Sequence, residues 1–158
     1  MKHILTLCIG NICRSPIAEA LLKQQFPEKN VWSAGLGALV GNRADPWSIE
    51  VAAAHGLDLS AHRAQQLASW MCQNADLILV MEKAHKAQLE QHYPLTRGKV
   101  FCLGDVSASG NSAGAANAGV APFDIADPYR QPKPAFEAAY ADIARGVAGW
   151  APRIRQLG

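Results

Sequence analysis

Four short apolar runs divide the chain. His3-Ile4-Leu5-Thr6-Leu7 and Leu77-Ile78-Leu79-Val80-Met81 are β-branched and apolar with no clean alternation. That is the pattern of strands buried on both faces of a parallel sheet. Val31-Trp32-Ser33-Ala34 and Val100-Phe101-Cys102-Leu103 are shorter runs of the same kind. Helical patterns lie between and after them. Ser15 reads as an N-cap and Pro16 as the first position of a helix with Ile17, Leu21 and Leu22 on its apolar face, ending near Phe26-Pro27. Asp45-Pro46 starts a second helix that runs to about His55, with Gly56 as its stop. Ser60 to Cys72 reads as helical in pieces, and Glu82 to His92 as a mostly polar helix stopped by Pro94. From about Pro134, the residues Phe136, Tyr140, Ile143, Val147, Trp150 and Ile154 fall on one stripe of period 3.6. Pro152 lies inside that stripe and is expected to kink or break the last turns. Strands alternating with helices predict right-handed βαβ units, hence an α/β fold with helices on both faces of a parallel sheet.

Composition narrows this picture. A chain of 158 residues is expected to form a single domain over residues 1–158. Every residue from Ser107 to Gly119 is Ser, Ala, Gly or Asn, which reads as a flexible insertion at about residues 105–122. A net charge of +2 without a basic tract gives no footprint for nucleic acid. No apolar run approaches the roughly 18 residues of a membrane span, so no membrane insertion is expected. Met1-Lys2-His3 leads straight into a strand rather than a signal peptide. Cys8, Cys13, Cys72 and Cys102 lie in or beside apolar stretches and do not form a secreted disulfide framework. The cytoplasm is therefore the expected compartment. The histidines show neither HExxH nor CxxC spacing, so neither metal nor cofactor is expected.

Chemistry concentrates in Cys8-Ile9-Gly10-Asn11-Ile12-Cys13-Arg14-Ser15-Pro16, between the first strand and the first helix. N–H groups of a tight loop and of a first helical turn lack partners within the helix, and with the dipole they form a cup for an anion. Gly10 permits a tight turn and Asn11 tolerates left-handed backbone. Arg14 adds a fork of donors matched to two phosphate oxygens. Cys8 at the base of such a cup feels a positive field that favours the thiolate. The expected arrangement is a nucleophilic sulfur beneath a bound phosphate. Cleaving an aryl phosphate also needs a proton for the leaving group. Asp124 and Asp127 both precede the last helix, and pattern alone does not choose between them.

The string Cys-Ile-Gly-Asn-Ile-Cys-Arg-Ser-Pro-Ile-Ala-Glu-Ala, together with Asp127-Pro128-Tyr129, resembles the low-molecular-weight protein tyrosine phosphatases, and the resemblance runs over nearly the whole chain. It implies four strands in the order 2-1-3-4, with the phosphate loop after strand 1 at a topological switch point. It implies hydrolysis of phosphotyrosine through a cysteinyl-phosphate, with Cys8 as nucleophile, Arg14 as anion clamp and Asp127 as acid and then base. By the same resemblance Ile9 to Ser15 form the phosphate loop, and phosphate or vanadate should inhibit. Ser15 would donate to the Cys8 thiolate, in competition with its capping role. Asn11, Ser33 and His62 would bond to one another and hold the loop, although Gln65 stands where relatives usually carry arginine. Tyr129 would form one aromatic wall of the pocket with Leu39 opposite. Cys13 would form a reversible disulfide with Cys8, or else fill space in the core.

The segment Ser33 to Gly41 resembles the bacterial subgroup that acts on the tyrosine-rich tails of membrane tyrosine kinases controlling capsule and exopolysaccharide export. Three rivals share the loop. Arsenate reductases need a closely spaced downstream cysteine pair, whereas Cys72 and Cys102 are far apart. Protein-arginine phosphatases carry threonine at the position of Ile12 and phenylalanine at that of Tyr129. A non-catalytic phosphate-binding module needs neither Cys8 nor Asp127.

Overall fold

The computed structural model describes residues 1–105 and 121–158; the Ser107–Gly119 stretch lies outside the described residues. Four parallel strands, β1 (His3–Cys8), β2 (Asn30–Gly35), β3 (Leu77–Val80) and β4 (Val100–Cys102), form one sheet in the order β2-β1-β3-β4. Helices α1 (Arg14–Gln25), α2 (Pro46–Ala54), α3 (Ser69–Asn74), α4 (Lys83–His92) and α5 (Lys133–Gln156) surround it, with a 3-10 turn at Pro94–Thr96.

Both sheet faces are covered, which is why the strand runs do not alternate. Ile4, Leu77 and Leu79 pack with Ile17 and Leu22 of α1 and with Phe136, Ile143, Val147 and Trp150 of α5. Leu5, Leu7, Ile78 and Val80 point the other way, toward Met71 and Cys72 of α3 and Leu89 of α4. Successive strand residues alternate between the two layers, so Cys8 falls on the α1 side with Ile4. All six residues of the predicted α5 stripe are buried.

Asp45 caps α2 by accepting the Trp47 N–H at 2.9 Å, and Gly56 follows that helix at φ +81°. The first helix departs from expectation. It begins at Arg14, with Cys13 at the cap and no side-chain cap bond, so neither Ser15 nor Pro16 holds the position that propensity assigned. The Ser15 hydroxyl is taken by a partner from β1, a stronger claim than a turn of its own helix. Of residues 60–72, only those from Ser69 onward are helical; the rest follow turns and a bridge between Gln66 and Gly35. Pro152 lies inside α5 without ending it. The cost of a missing N–H so near a C-terminus is small beside the anchoring of Trp150 and Ile154, both at most 2% exposed.

Candidate active site

A pocket of about 130 Å³ opens at the C-terminal ends of β1 and β3, where the sheet order switches. The loop from Cys8 to Arg14 lines it, together with Gly37, Leu39, Asp127 and Tyr129.

The loop's shape is fixed from outside through its carbonyls. Cys8, Ile9, Gly10 and Ile12 accept from the N–H groups of Leu36, Gly37, Leu39 and Asp45 at 2.9–3.1 Å. Asn11 O accepts from His62 Nε2 at 2.6 Å, and Cys13 O from Ser48 Oγ at 3.1 Å. A trans peptide turns the N–H of the next residue opposite its own C=O, and the described residues contain no cis bond. Six outward carbonyls therefore turn the N–H groups of residues 9–14 inward, toward the pocket. The left-handed residue that closes this curl is Asn11 at φ +58°, not Gly10. Gly35 matters by proximity: a Cβ there would lie 2.4 Å from Ile9 O.

Beneath the loop the proton order can be read. Asn11 Oδ1 accepts the Gln65 backbone N–H at 2.9 Å, which fixes the amide so that Nδ2 donates to Ser15 Oγ at 2.8 Å and Ser33 Oγ at 3.0 Å. Ser33 passes its own proton to Glu19 Oε1 at 2.5 Å. Ser15 Oγ accepts from Asn11 and lies 3.0 Å from Cys8 Sγ, placed so that its hydroxyl donates whenever the sulfur is a thiolate. The chain of bonds ends at the Cys8 sulfur. His62 joins at the Asn11 carbonyl rather than at Ser33, and Gln65 takes part through its backbone and through Nε2 to Ser33 O at 2.9 Å.

Arg14 is 1% exposed and divides its guanidinium between structure and pocket. Nη1 donates at 2.6 Å to both Glu82 Oε2 and Ile125 O. Nε has no partner, and Nη2 lies 3.8 Å from Asp127 Oδ2. The Nε/Nη2 edge is thus the one available to a ligand. Glu82 Oε2 also faces His85 Nε2 at 3.3 Å. Burial and then the Arg14 charge make the His85 imidazolium unfavourable. Asp127 Oδ1 accepts the Tyr129 N–H at 3.0 Å, a short turn that leaves Oδ2 on the Arg14 side. Asp124 goes elsewhere: its Oδ1 accepts from Lys83 N at 3.0 Å at the start of α4. Cys13 also lines the pocket, and burial foremost pushes its thiol far above the ordinary range.

Of the residues singled out from sequence, Cys8, Ile9, Gly10, Ile12, Cys13, Arg14, Leu39, Asp127 and Tyr129 border the pocket, while Asn11, Ser15, Ser33 and His62 stand behind it. Glu19, Glu82 and His85 were not foreseen. Glu19 sits one helical turn beyond Ser15, and Glu82 just past the end of the strand beside β1; both spacings were available signals. Among the described residues no three His, Cys, Asp or Glu side chains come together as metal ligands.

Comparison with known proteins bears on this geometry. The model of the family described as low molecular weight phosphotyrosine protein phosphatase matches residues 3–157. The chain is 51% identical over 158 residues to the probable low molecular weight protein-tyrosine-phosphatase EpsP of Ralstonia nicotianae, covering 100% of this chain and 99% of that protein. Vibrio vulnificus Wzb in complex with benzylphosphonate superposes with a TM-score of 0.84 at 42% identity, covering 96% of this chain and 97% of that one. The YwlE arginine phosphatase of Geobacillus stearothermophilus superposes with a TM-score of 0.86 at only 30% identity, covering 99% and 95%. Backbone likeness therefore does not separate the two kinds of neighbour, whereas the chain shares more sequence with Wzb.

Proposed function

The chain belongs to the low molecular weight phosphotyrosine protein phosphatase family and is a protein-tyrosine phosphatase, and from that premise we propose that Cys8, Arg14 and Asp127 carry its reaction. The observation that carries this assignment is the set of outward carbonyls from Cys8 to Cys13, which leaves a ring of inward N–H groups above a sulfur held by Ser15.

In this reading three phosphoryl oxygens of the substrate take the loop N–H groups and the Nε/Nη2 edge of Arg14. Cys8 Sγ attacks phosphorus as the bond to the tyrosine oxygen breaks, and Asp127 Oδ2 delivers the proton that the phenolate accepts. The products of this half are tyrosine and a cysteinyl-phosphate. Asp127, now a carboxylate, takes a proton from water, whose oxygen attacks phosphorus and returns the Cys8 thiolate with inorganic phosphate. The same N–H groups stabilise the charge in both steps. Inorganic phosphate and vanadate would compete for the cup. Apolar walls at Ile9, Ile12, Leu39 and Tyr129 suit an aryl ester.

The physiological substrate we propose is the tyrosine-rich tail of a membrane tyrosine kinase that controls exopolysaccharide or capsule export, met in the cytoplasm. Two features support that compartment: four free, buried cysteines, and no helix among the described residues long and apolar enough to cross a membrane. The test is hydrolysis of phosphotyrosine, phosphoserine and phosphoarginine peptides by the purified protein, beside Cys8→Ser. Only phosphotyrosine should be turned over, and Cys8→Ser should be inactive while still binding vanadate. Preferred release from phosphoarginine, or turnover by Cys8→Ser, would overturn the assignment.

A further inference from the structure

The surface around the pocket carries charges that the chemistry does not use. Arg130 follows Tyr129 at φ +63°, a left-handed conformation that is costly for any residue with a Cβ. Its guanidinium lies 5.2 Å from the centre of the Tyr129 ring, the ring that walls the pocket. No carboxylate pairs with it among the described residues. An open groove of about 640 Å³ shares Ile12 with the pocket and is lined further by Asn42, Arg43, Asp45 and Ile49. Arg43 is exposed and likewise has no ion-pair partner among the described residues. The acids nearby are otherwise engaged. Asp45 caps α2, Glu50 pairs with Lys133 at 3.7 Å, and Asp127 faces Arg14. Val40, 67% exposed, and Trp47, 41% exposed, adjoin the groove's lining residues in the chain and add apolar contact area.

Two exposed cations without an ion-pair partner among the described residues thus lie beside the pocket's lining, one next to Tyr129 and one in the groove that shares Ile12. We propose that Arg130 and Arg43 form a docking surface for a peptide that carries anionic side chains next to its phosphotyrosine, with Arg43 and the groove taking one flank and Arg130 the other. The occupant is an acidic peptide segment whose negative charge comes from carboxylates. Continuity of the groove with the pocket and complementarity of charge argue for it. Such exposed contacts act on capture rather than on the bond-breaking step, and salt screens them. The inference rests on the phosphotyrosine reading of the pocket.

The experiment compares kcat/KM at low and high salt for p-nitrophenyl phosphate and three short phosphotyrosine peptides. One peptide has neutral flanks, one has glutamates on both flanks, and one has a second phosphotyrosine as neighbour. The proteins are the wild type, Arg43→Gln, Arg130→Gln, the double variant and the charge-keeping Arg130→Lys. The wild type should prefer the two anionic peptides by about three- to tenfold at low salt, the scale of a few exposed ion pairs. The preference should shrink in each single variant, vanish in the double, persist in Arg130→Lys and fade with salt. A preference for the doubly phosphorylated peptide with none for the glutamate peptide overturns the carboxylate occupant. Kinetics on p-nitrophenyl phosphate should stay within about twofold throughout, which also reports that the variants fold. Equal use of all peptides by an active wild type overturns the docking surface and leaves the phosphatase reading standing. So does a preference that survives the double variant, or a loss on p-nitrophenyl phosphate. A wild type inactive on every phosphotyrosine substrate overturns both.

Discussion

Glu82 Oε2 accepts from Arg14 Nη1 at 2.6 Å, and this contact decides which edge of the guanidinium faces the pocket. With Nη1 also on Ile125 O, only Nε and Nη2 point toward a ligand. Glu82→Gln keeps the shape but removes the charge that holds the fork. We expect a loss of about tenfold or more in kcat/KM and in vanadate affinity, because a charge-assisted bond to a buried group is worth about 1.5–3 kcal/mol. Arg14→Lys should lose more, since an ammonium has no fork to divide. Steady-state kinetics and vanadate titration measure both; unaltered vanadate affinity in Glu82→Gln would remove its positioning role.

Asp127→Ala should lower kcat by roughly 10²–10⁴ on phenols that leave poorly. Its Oδ1 is held by the Tyr129 N–H, so the proton is delivered from Oδ2. The deficit should shrink as the leaving phenol becomes more acidic. A series of aryl phosphates gives the slope, and a uniform loss would point to a structural role. Asp124→Ala, which removes the acceptor for Lys83 N, should instead reduce stability and spare this slope.

Peroxide should inactivate the protein in a way that thiols reverse. Oxidation of Cys8 gives a sulfenic acid; the Cys13 sulfur then attacks it, forming a disulfide and releasing water. Burial keeps the Cys13 thiol protonated at neutral pH, so closure should accelerate as pH rises. Mass spectrometry after alkylation reads the linkage, and pairing with Cys72 or irreversible loss would refute it.

Stability should carry an acid limb from Asp76, which sits one residue ahead of β3. Its Oδ2 accepts the N–H groups of Lys2 and His3 at 2.8 and 2.9 Å, and those bonds, that from His3 foremost, hold the carboxyl below the ordinary aspartate range. The folded pKa is depressed, so the stabilisation is complete above about pH 4, the unfolded value, and is lost as pH falls through the folded one. Asp76→Asn should therefore be less stable than wild type at neutral pH, by less than about 1 kcal/mol because solvent screens the exposed carboxylate. The gap should close in acid. Urea unfolding across pH tests this, and a pH-independent gap would assign the effect to packing.

The sequence by itself determined the strands, most helices and the contiguous loop from Cys8 to Ser15. Burial of a strand on two faces forces an apolar run, and an amphipathic helix forces a 3.6 period; both leave their mark within a dozen residues. Its errors were local preferences overridden from a distance. Ser15 has a cap's chemistry, yet Cys8 and Asn11 claim its hydroxyl. Pro152 has a breaker's chemistry, yet α5 continues because Trp150 and Ile154 are fixed in the core. What only the tertiary structure decided is the company of the loop. Glu82 reaches Arg14 across 68 positions and Ile125 across 111, and the loop carbonyls are turned by N–H groups from residues 36–45, by Ser48 and by His62. Asp127 and Asp124, equal in spacing and distinguished in sequence only by the resemblance at Asp127-Pro128-Tyr129, part physically when one meets Arg14 and the other the start of α4. A carboxylate at neutral pH accepts any donor within reach, so its role is set by which donor the fold brings to it, and no periodicity along the chain records that.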